Sequence, residues 1–517
     1  MHTRRVPIGL AVAALVAFSL ALAGCGGGKS ENLARLAPAN SPIYVEGAID
    51  PGGELGENVR KLAKTLAGVE DLGALIVEDL EGSAMSSGKP LDFEKEVEPW
   101  LGERAAVFLR SFEGGDFSGY GLLIEATDST AAQEFIDERA RPTSGELREA
   151  SFEGVRFKVE PEGGEAIGVL DGAVLFTEDE ATYKAAIEAS GGESLAAQES
   201  FAGTMEAATE GSLVDVFVDV GGLLEQAGGE LDPEARRLLD DAGIDPSEAT
   251  AVASVVPGAD QIQIDASTKL GEAEPGDAGN LLESLPGGSF AAFATSGFGE
   301  ALREAIDSLD QRGVPGQLEP GELKEAASAI GIDLDRLAGS IKEAAVFGQG
   351  NTRRNLTGAL VMTTSGSEAT QLVGQLGKLL RLSGAPGVTF LSGEAKGFSI
   401  RSPELGSKPL VVAAKGGRIA ISLGLAASAQ ALTAEPGATL AEDPAFQEAR
   451  KALGETPISG FLDGPAVLTL VRGMISADER PGFEEARPYL EKVAFGALGT
   501  GTSGDRTTLK MIVGLAK

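Results

Sequence analysis

Residues 166–177, AIGVLDGAVLFT, consist of two short apolar runs that meet at Asp171 and Gly172. An Asp-Gly pair supplies the positive φ angles that a two-residue hairpin turn requires, so this stretch predicts two adjacent β-strands. Strands that are joined directly by a tight turn pair in the antiparallel direction. The hairpin therefore predicts that the sheet of this protein is mainly antiparallel.

The sequence around the hairpin mixes strand patterns with helix patterns. Apolar and charged residues alternate over 155–160, which is typical of a half-buried strand. Apolar residues recur every three or four positions over 55–66, and this spacing forms one apolar face of a helix. The capping residues at 128–130 precede a further helix that carries Phe135 and Ile136. We expect an α+β fold, with helices packed on one face of a mainly antiparallel sheet.

The hairpin and the segments around it occur a second time further along the chain. The order of the matching segments is kept, and their spacing drifts by only a few residues, as small loop insertions would cause. Chance similarity between alanine-rich helices is the alternative explanation. The matching pairs are Leu195 with Leu440, Phe201 with Phe446 and Gly172 with Gly417, each 245 residues apart, and Pro38 with Pro286.

The repeat predicts two duplicated α+β domains. The first copy is expected over residues 36–270 and the second over 284–517. Residues 271–283 are predicted to be a linker, because the stretch begins with charged and turn-forming residues.

The N-terminus predicts export followed by a lipid anchor. A positively charged start and an uncharged apolar run end in Leu22-Ala23-Gly24-Cys25, the layout of a secretory signal. This ending resembles the lipobox of bacterial lipoproteins, in which the cysteine thiol receives a diacylglycerol and becomes the new N-terminus. Residues 1–24 are therefore predicted to be a signal peptide, and 25–35 a lipidated Cys25 with a flexible tether. An uncleaved membrane helix and ordinary cleavage that leaves a free thiol are the alternatives.

The charge of the chain bears on where it acts and on what it binds. Its formal net charge is −35, from 43 basic and 78 acidic residues. Nucleic acid is not an expected partner, because phosphate backbones are bound by an excess of positive charge. The acidity is interpreted as surface solubility, with divalent cations or a basic partner as the alternative. The expected membrane contact is the lipid on Cys25, at the extracytoplasmic face of the cell membrane, or at the outer membrane if the cell has one.

The residue types that are missing exclude several chemistries. Cys25 is the only cysteine, and the only histidine, His2, lies in the predicted signal peptide. A processed chain would therefore hold no disulfide, no Ser-His-Asp or Cys-His site and no zinc site built from His and Cys. We expect no catalytic residue, no cofactor and no metal ligand.

Short motifs that resemble known sites are interpreted as structural. Ser86 and Lys89 match the S-x-x-K spacing, but they lie in a predicted loop. Residues 333–335 lack the further ligands of a calcium loop and are predicted to start a helix. Residues 499–504, GTGTSG, are predicted to be an inter-strand loop, without the lysine and the helix that a phosphate cradle needs.

Two further residues and the abundant acids complete the search for chemistry. Trp100 is predicted to be a packing anchor, with a ligand platform as the alternative. Asn355 begins a glycan-acceptor triplet, which we interpret as incidental. With 78 acidic residues, close carboxylate pairs are inevitable, so the sequence cannot identify a glycosidase pair.

The segment PWLGERAAVFL (99–109), the hairpin block, the lipobox and the repeat together resemble a known family. The chain resembles bacterial cell-envelope lipoproteins of the uncharacterised domain-of-unknown-function family 3352, over most of residues 36–517. The family has no assigned activity, so the resemblance implies no functional residue. The second copy has GSIKEAAVF (339–347) at the matching place, so any role of Trp100 would belong to one half only.

These observations predict a membrane-anchored envelope lipoprotein that is not an enzyme and that presents a binding or structural surface. The expected partner is an envelope protein. A carrier of a lipid or another apolar ligand is the alternative, and a hydrolase that uses carboxylates is the third hypothesis. An apolar cavity would favour the carrier, and a polar cleft with facing carboxylates would favour the hydrolase.

Overall fold

The computed structural model describes most of the chain between residues 33 and 516. The described ranges are 33–49, 51–69, 77, 91–113, 116–139, 147–161, 164–226, 249–269, 278–313, 319–329, 331–364, 368–382, 386–401, 408–433, 437–476, 478–504 and 506–516. The predicted signal peptide, Cys25, Ser86 and Lys89 lie outside these residues. The chain divides into two compact units, Met1–Ala273 with Ser503–Thr508 and Glu274–Thr502 with Leu509–Lys517.

The first unit contains ten of the described strands. They are Ile43–Ala48 (β1), Leu101–Glu113 (β2), Asp116–Ala126 (β3), Arg148–Phe152 (β4), Val155–Val159 (β5), Ala166–Leu170 (β6), Ala173–Thr177 (β7), Val214–Asp219 (β8), Thr250–Pro257 (β9) and Gln261–Lys269 (β10). Its helices are Gly53–Ala67 (α1), Phe93–Glu96 (α2), Ser129–Arg139 (α3), Glu180–Ser190 (α4), Glu199–Met205 (α5) and Val220–Gln226 (α6), with 3₁₀ turns at Leu33–Leu36 and Leu195–Ala197.

The second unit has the same kinds of element. Its strands are Ala291–Ser296 (β11), Ile341–Gln349 (β12), Thr357–Thr364 (β13), Val388–Phe390 (β14), Lys396–Ile400 (β15), Leu410–Lys415 (β16), Arg418–Leu423 (β17), Ile458–Asp463 (β18), Val493–Ser503 (β19) and Arg506–Leu515 (β20). The end of β19 and the start of β20 fall in the segment Ser503–Thr508, which is grouped with the first unit. The helices of the second unit are Gly279–Glu283 (α7), Phe298–Arg312 (α8), Glu322–Ala329 (α9), Leu334–Ser340 (α10), Glu368–Leu382 (α11), Leu425–Leu432 (α12), Pro444–Leu453 (α13), Gly464–Met474 (α14) and Arg480–Leu490 (α15), with a 3₁₀ turn at Leu440–Glu442.

Strand neighbours follow one order in both units. In the first unit the order is β4-β5-β6-β7-β3-β2-β1-β8-β9-β10, with antiparallel pairing. In the second it is β14-β15-β16-β17-β13-β12-β11-β18-β19-β20. The mixture of helices with antiparallel strands confirms the predicted α+β class.

Local sequence chemistry accounts for the hairpin β6–β7. Leu170 pairs with Ala173, and the turn between them places Asp171 at φ 42° and Gly172 at φ 80°. Both angles lie in the left-handed region that this type of turn requires, so the predicted hairpin is confirmed. The predicted helix over 55–66 is confirmed within α1.

Helices cover both faces of the sheet in the first unit, so the prediction of one covered face is wrong. Leu123 belongs to the core under α4, whereas its neighbour Ile124 packs against the core under α3. Leu175 and Val174 divide between the two cores in the same way. Successive side chains of a strand point to opposite faces, so strands that are apolar at consecutive positions must be covered on both sides.

Tyr183 in α4 gives a test of the packing in the first core. The side chain is fully buried and stacks on Phe157, and its hydroxyl has no hydrogen-bond partner. Because an unsatisfied buried hydroxyl costs about 1–3 kcal/mol, Tyr183→Phe is expected to raise the free energy of unfolding by about 1 kcal/mol. Urea unfolding measures this change, with Tyr120→Phe at a half-buried site as the control. A loss of stability in Tyr183→Phe would show that the hydroxyl is satisfied.

Candidate functional site

The structure tests the predictions made from two short motifs, residues 333–335 and residues 499–504. Asp333 caps α10, because its Oδ1 accepts a hydrogen bond from the Arg336 N–H at 2.9 Å, so the predicted helix start is confirmed. Residues 499–503 belong to strand β19, so the prediction of a loop over 499–504 is wrong. A Cβ at Gly499 would lie 3.0 Å from the Pro457 carbonyl oxygen, so this glycine allows close backbone packing inside the sheet.

Trp100 and Asn355 both have structural partners. Trp100 is 3% exposed, its Nε1–H donates to the Glu96 carbonyl oxygen at 2.8 Å, and its ring lies 5.4 Å from that of Phe135. These contacts confirm a packing anchor. The Asn355 Oδ1 accepts hydrogen bonds from the backbone N–H groups of Asn351 at 3.0 Å and Thr352 at 2.8 Å, so it closes an exposed turn.

A polar recess of about 640 Å³ opens in the first unit. We call it the Arg110 recess. Strands β2 and β3 contribute part of its lining, and the junction between β7 and α4 contributes another part. Its lining includes Arg110, Ser111, Ser118, Glu178, Asp179 and Thr182.

Two residues hold the walls of the Arg110 recess in place. Gly119 has φ 67°, and this left-handed conformation lets its N–H donate to Glu178 Oε2 at 2.7 Å. The side-chain amide of Gln226 in α6 binds the edge of β2 as the backbone of a neighbouring strand would. Its Oε1 accepts a hydrogen bond from the Phe112 N–H at 2.8 Å, and its Nε2 donates to the Arg110 carbonyl oxygen at 3.2 Å. The recess is therefore built from segments that lie far apart in the sequence.

The Arg110 guanidinium is poorly satisfied. Its Nη1 lies 3.5 Å from Thr182 Oγ1, at the limit of a hydrogen bond, and its Nε is buried without a partner. No carboxylate of the described residues lies within ion-pair distance of it, whereas Glu46 and Glu96 each bind an arginine. Leaving a charged donor unpaired costs about 1–3 kcal/mol or more.

The two carboxylates of the recess are each committed through one oxygen. Asp179 Oδ1 accepts from the Thr182 N–H at 2.6 Å and thereby caps α4. Glu178 uses Oε2 for Gly119. Burial, with the charges of Glu165 and Glu178, raises the pKa of the nearby Tyr120 hydroxyl. The remaining carboxylate oxygens face no donor among the described residues, so the recess presents both signs of charge.

A second recess, also of about 640 Å³, lies in the second unit. Its acids are fully engaged: Glu442 accepts from the N–H groups of Gly437 at 2.8 Å and Thr439 at 3.2 Å, in a capping box. The hydrogen bonds from Thr439 and Gly437 lower the pKa of Glu442. Asp443 Oδ1 caps α13, and Lys415 pairs with an exposed glutamate. This recess is shaped by helix capping, and each carboxylate oxygen of its described acids already accepts a hydrogen bond.

Three acidic side chains form a row across the first sheet. Glu46 pairs across the strands with Asp215, and Ser254 lies between Asp215 and Asp265. Asp215 accepts from Ser254 Oγ at 2.6 Å, and Glu46 accepts from the Tyr44 hydroxyl. Burial, and then the charge of Glu46, raise the pKa of Tyr44. The sequence analysis did not single out these acids, because the row arises from strand register.

We predict that neither a reductant nor a chelator changes the melting temperature. Among the residues that the structure describes, no group of three or more His, Cys, Asp or Glu side chains could hold a metal ion. Stability then comes from buried apolar surface, at about 25 cal/mol per Å². Thermal unfolding with dithiothreitol or EDTA tests this, with added calcium as the control. A fall of more than a few degrees in EDTA would reveal a calcium site.

No helix within the described ranges is both long enough and apolar enough to cross a membrane. Fold and site thus define a mixed α+β protein of two compact units with open, polar recesses. A family model described as "Protein of unknown function (DUF3352)" matches residues 8–463, most of the sequence. The chain belongs to this family, which confirms the resemblance to family 3352.

Other comparisons add no function. No curated protein matches the chain. Crystal forms III and I of a protein named TP0453 align with 10% sequence identity and TM-scores of 0.25 and 0.24. These alignments cover 48% of this chain and 83% and 82% of those chains. Similarity at this level carries no argument about fold or function.

Proposed function

We propose that this protein is an exported lipoprotein, held at the extracytoplasmic face of a membrane through Cys25, and that its body is a binding protein without catalytic activity. The support for the anchor is the signal-like N-terminus that ends in the lipobox. The support for the binding role is the chemistry of the two recesses.

The observation that carries the proposal is the commitment of the recess acids to backbone groups. Glu442 and Asp443 in the second unit and Asp179 in the first each accept a backbone N–H. In the second unit both oxygens of Glu442 and of Asp443 accept hydrogen bonds, so neither acid offers the free oxygen that a general base aims at its substrate. In the first unit Asp179 and Glu178 each keep one oxygen without a described partner, and the poorly satisfied Arg110 that lines the same recess supports a role in holding a charged ligand.

Large buried aromatic side chains inside each unit support a polar ligand over an apolar one. The first core contains fully buried Tyr44, Phe108 and Phe217, and the second contains fully buried Phe446 and Phe461. A lipid carrier would need an apolar cavity at such positions. The two recesses of about 640 Å³ are lined mainly by polar side chains and glycines.

We also propose that the two units are copies of one ancestral domain. They share the strand order given above, and equivalent short bridges join Pro38 to Ser194 and Pro286 to Thr439. In each unit the next residue donates its N–H to a residue before the proline, Leu195 to Ala37 and Leu440 to Leu285, at 2.8 Å in both cases. Matching contacts at matching positions support duplication over chance similarity.

Native mass spectrometry of the purified chain tests the proposed function. The Cys25→Ala form is used, so that no lipid is attached covalently. We expect the mass of the polypeptide, alone or with a small polar ligand, because large buried aromatic side chains occupy the described cores. A stoichiometric fatty acid or phospholipid would contradict the binding proposal and favour the carrier.

A further inference from the structure

The Arg110 recess holds an unpaired cation in a strongly acidic protein. A guanidinium stays charged at any physiological pH, so Arg110 cannot relieve its buried, unpartnered Nε by losing a proton. The planar fork of a guanidinium matches a carboxylate or a phosphate. An anionic group of a ligand is therefore the acceptor that this side chain lacks.

The neighbouring acids restrict which anion fits. Glu178 and Asp179 line the same recess and each keep one oxygen without a described partner. They would repel a multiply charged phosphate, since like charges at short range disfavour one another. They would attract an ammonium group that is carried next to a single negative charge.

The remaining lining is polar. Ser111 and Ser118 face each other across β2 and β3, and Asn40 stands at the rim. These hydroxyl and amide groups can both donate and accept hydrogen bonds. Because the described lining residues include no large apolar side chain, the recess is suited to a compact, hydrated ligand.

We propose that the Arg110 recess binds a small zwitterion of the α-amino acid type, with its carboxylate on Arg110 and its ammonium group facing Glu178 and Asp179. This inference rests on the proposed binding function. Under the proposed duplication, Gln349 is the residue of the second unit that is equivalent to Arg110. Its Nε2 donates a hydrogen bond to the Gly287 carbonyl oxygen at 2.9 Å. Among the described residues, the second unit therefore has no counterpart of this arginine at the matching position.

Calorimetric titration of the full mature chain with the common α-amino acids tests the proposal, with propionate and propylamine as ligands of one charge only. We expect at least one amino acid to bind with a stoichiometry of one, and both single-charge probes to bind at least tenfold more weakly. Arg110→Gln and Glu178→Gln should each weaken the amino acid at least tenfold. Arg60→Gln, at an exposed site of the same unit, removes the same charge and should leave binding unchanged.

Folding of the variants is checked by their melting temperatures. If Arg110→Gln does not fold, Glu178→Gln decides, because its amide oxygen still accepts from the Gly119 N–H while its charge is gone. If propionate bound as tightly as the amino acid, the proposal of a zwitterionic ligand would be wrong. It would also be wrong if Glu178→Gln bound the amino acid with wild-type affinity. If the purified chain carries no lipid and binds no amino acid, only this inference is wrong. If native mass spectrometry detects a bound lipid, the proposed binding function is wrong as well.

Discussion

Cys25→Ala is expected to move the protein from the membrane fraction to the soluble fraction, or to stall its processing with the signal peptide attached. A buried acyl chain contributes about 0.8 kcal/mol per CH₂, so two or more chains hold a protein stably whereas one holds it only marginally. The substitution removes the sulfur that would carry the diacylglycerol. The full sequence carries a formal charge of −35, and anionic headgroups repel such a charge.

Fractionation of cells that express each form measures this effect, together with incorporation of labelled palmitate. Ser30→Ala in the predicted tether is the matched control, since it changes a nearby residue and keeps the thiol. The control should remain labelled and membrane-bound. A normally processed Cys25→Ala protein that stays as firmly bound as wild type would exclude the lipid anchor.

The hairpin at 166–177 could be predicted from sequence because its determinants are local. Asp171 and Gly172 set the turn, and the two apolar runs beside them leave little choice of register. The α+β class follows from the same kind of short-range evidence. For β19, the glycines of GTGTSG favoured a loop, but Gly499 is present because the backbone of Pro457 approaches it closely. That approach is a tertiary contact, which no local pattern reports.

The Arg110 recess could not be predicted, because its parts meet only in the folded chain. Arg110 contacts Thr182, 72 residues away, and Phe112 is held by Gln226, 114 residues away. In the sequence, Arg110 is one of many arginines. What distinguishes Arg110 is that its guanidinium has no ion-pair partner among the described residues. This depends on the side chains around it, so only the folded structure shows it.

The packing of helices on both faces of the sheet also depends on tertiary contacts that the sequence does not reveal. The strand that carries Leu123 and Ile124 is apolar at consecutive positions, which short-range patterns allow for a strand or a helix. Only the placement of α3 and α4 shows that the two side chains enter different cores. The pattern therefore identified an apolar strand, and the helices determined how many faces were buried.

Phe446→Ala is expected to destabilise the second unit by about 3–5 kcal/mol, the usual cost of removing a buried phenylalanine ring. Phe446 is fully buried, and its ring meets that of Phe461 edge to face at 5.4 Å. A loss of this size is a large part of the total stability of a typical domain, about 5–15 kcal/mol. The second unit should therefore unfold at a clearly lower temperature or denaturant concentration.

Phe201→Ala should cause a loss of the same order in the first unit, because the two phenylalanines are the matched pair of the proposed duplication. Phe201 is 3% exposed and packs between Tyr44 at 5.6 Å and Phe217 at 4.9 Å. Hydrogen exchange followed by mass spectrometry reads peptides of each unit separately, so each variant should lose protection in its own unit only. Phe117→Ala, at a site 50% exposed, is the control and should change little. Equal loss of protection in both units from either variant would mean that the chain unfolds as one block, and the two-domain proposal would then fail.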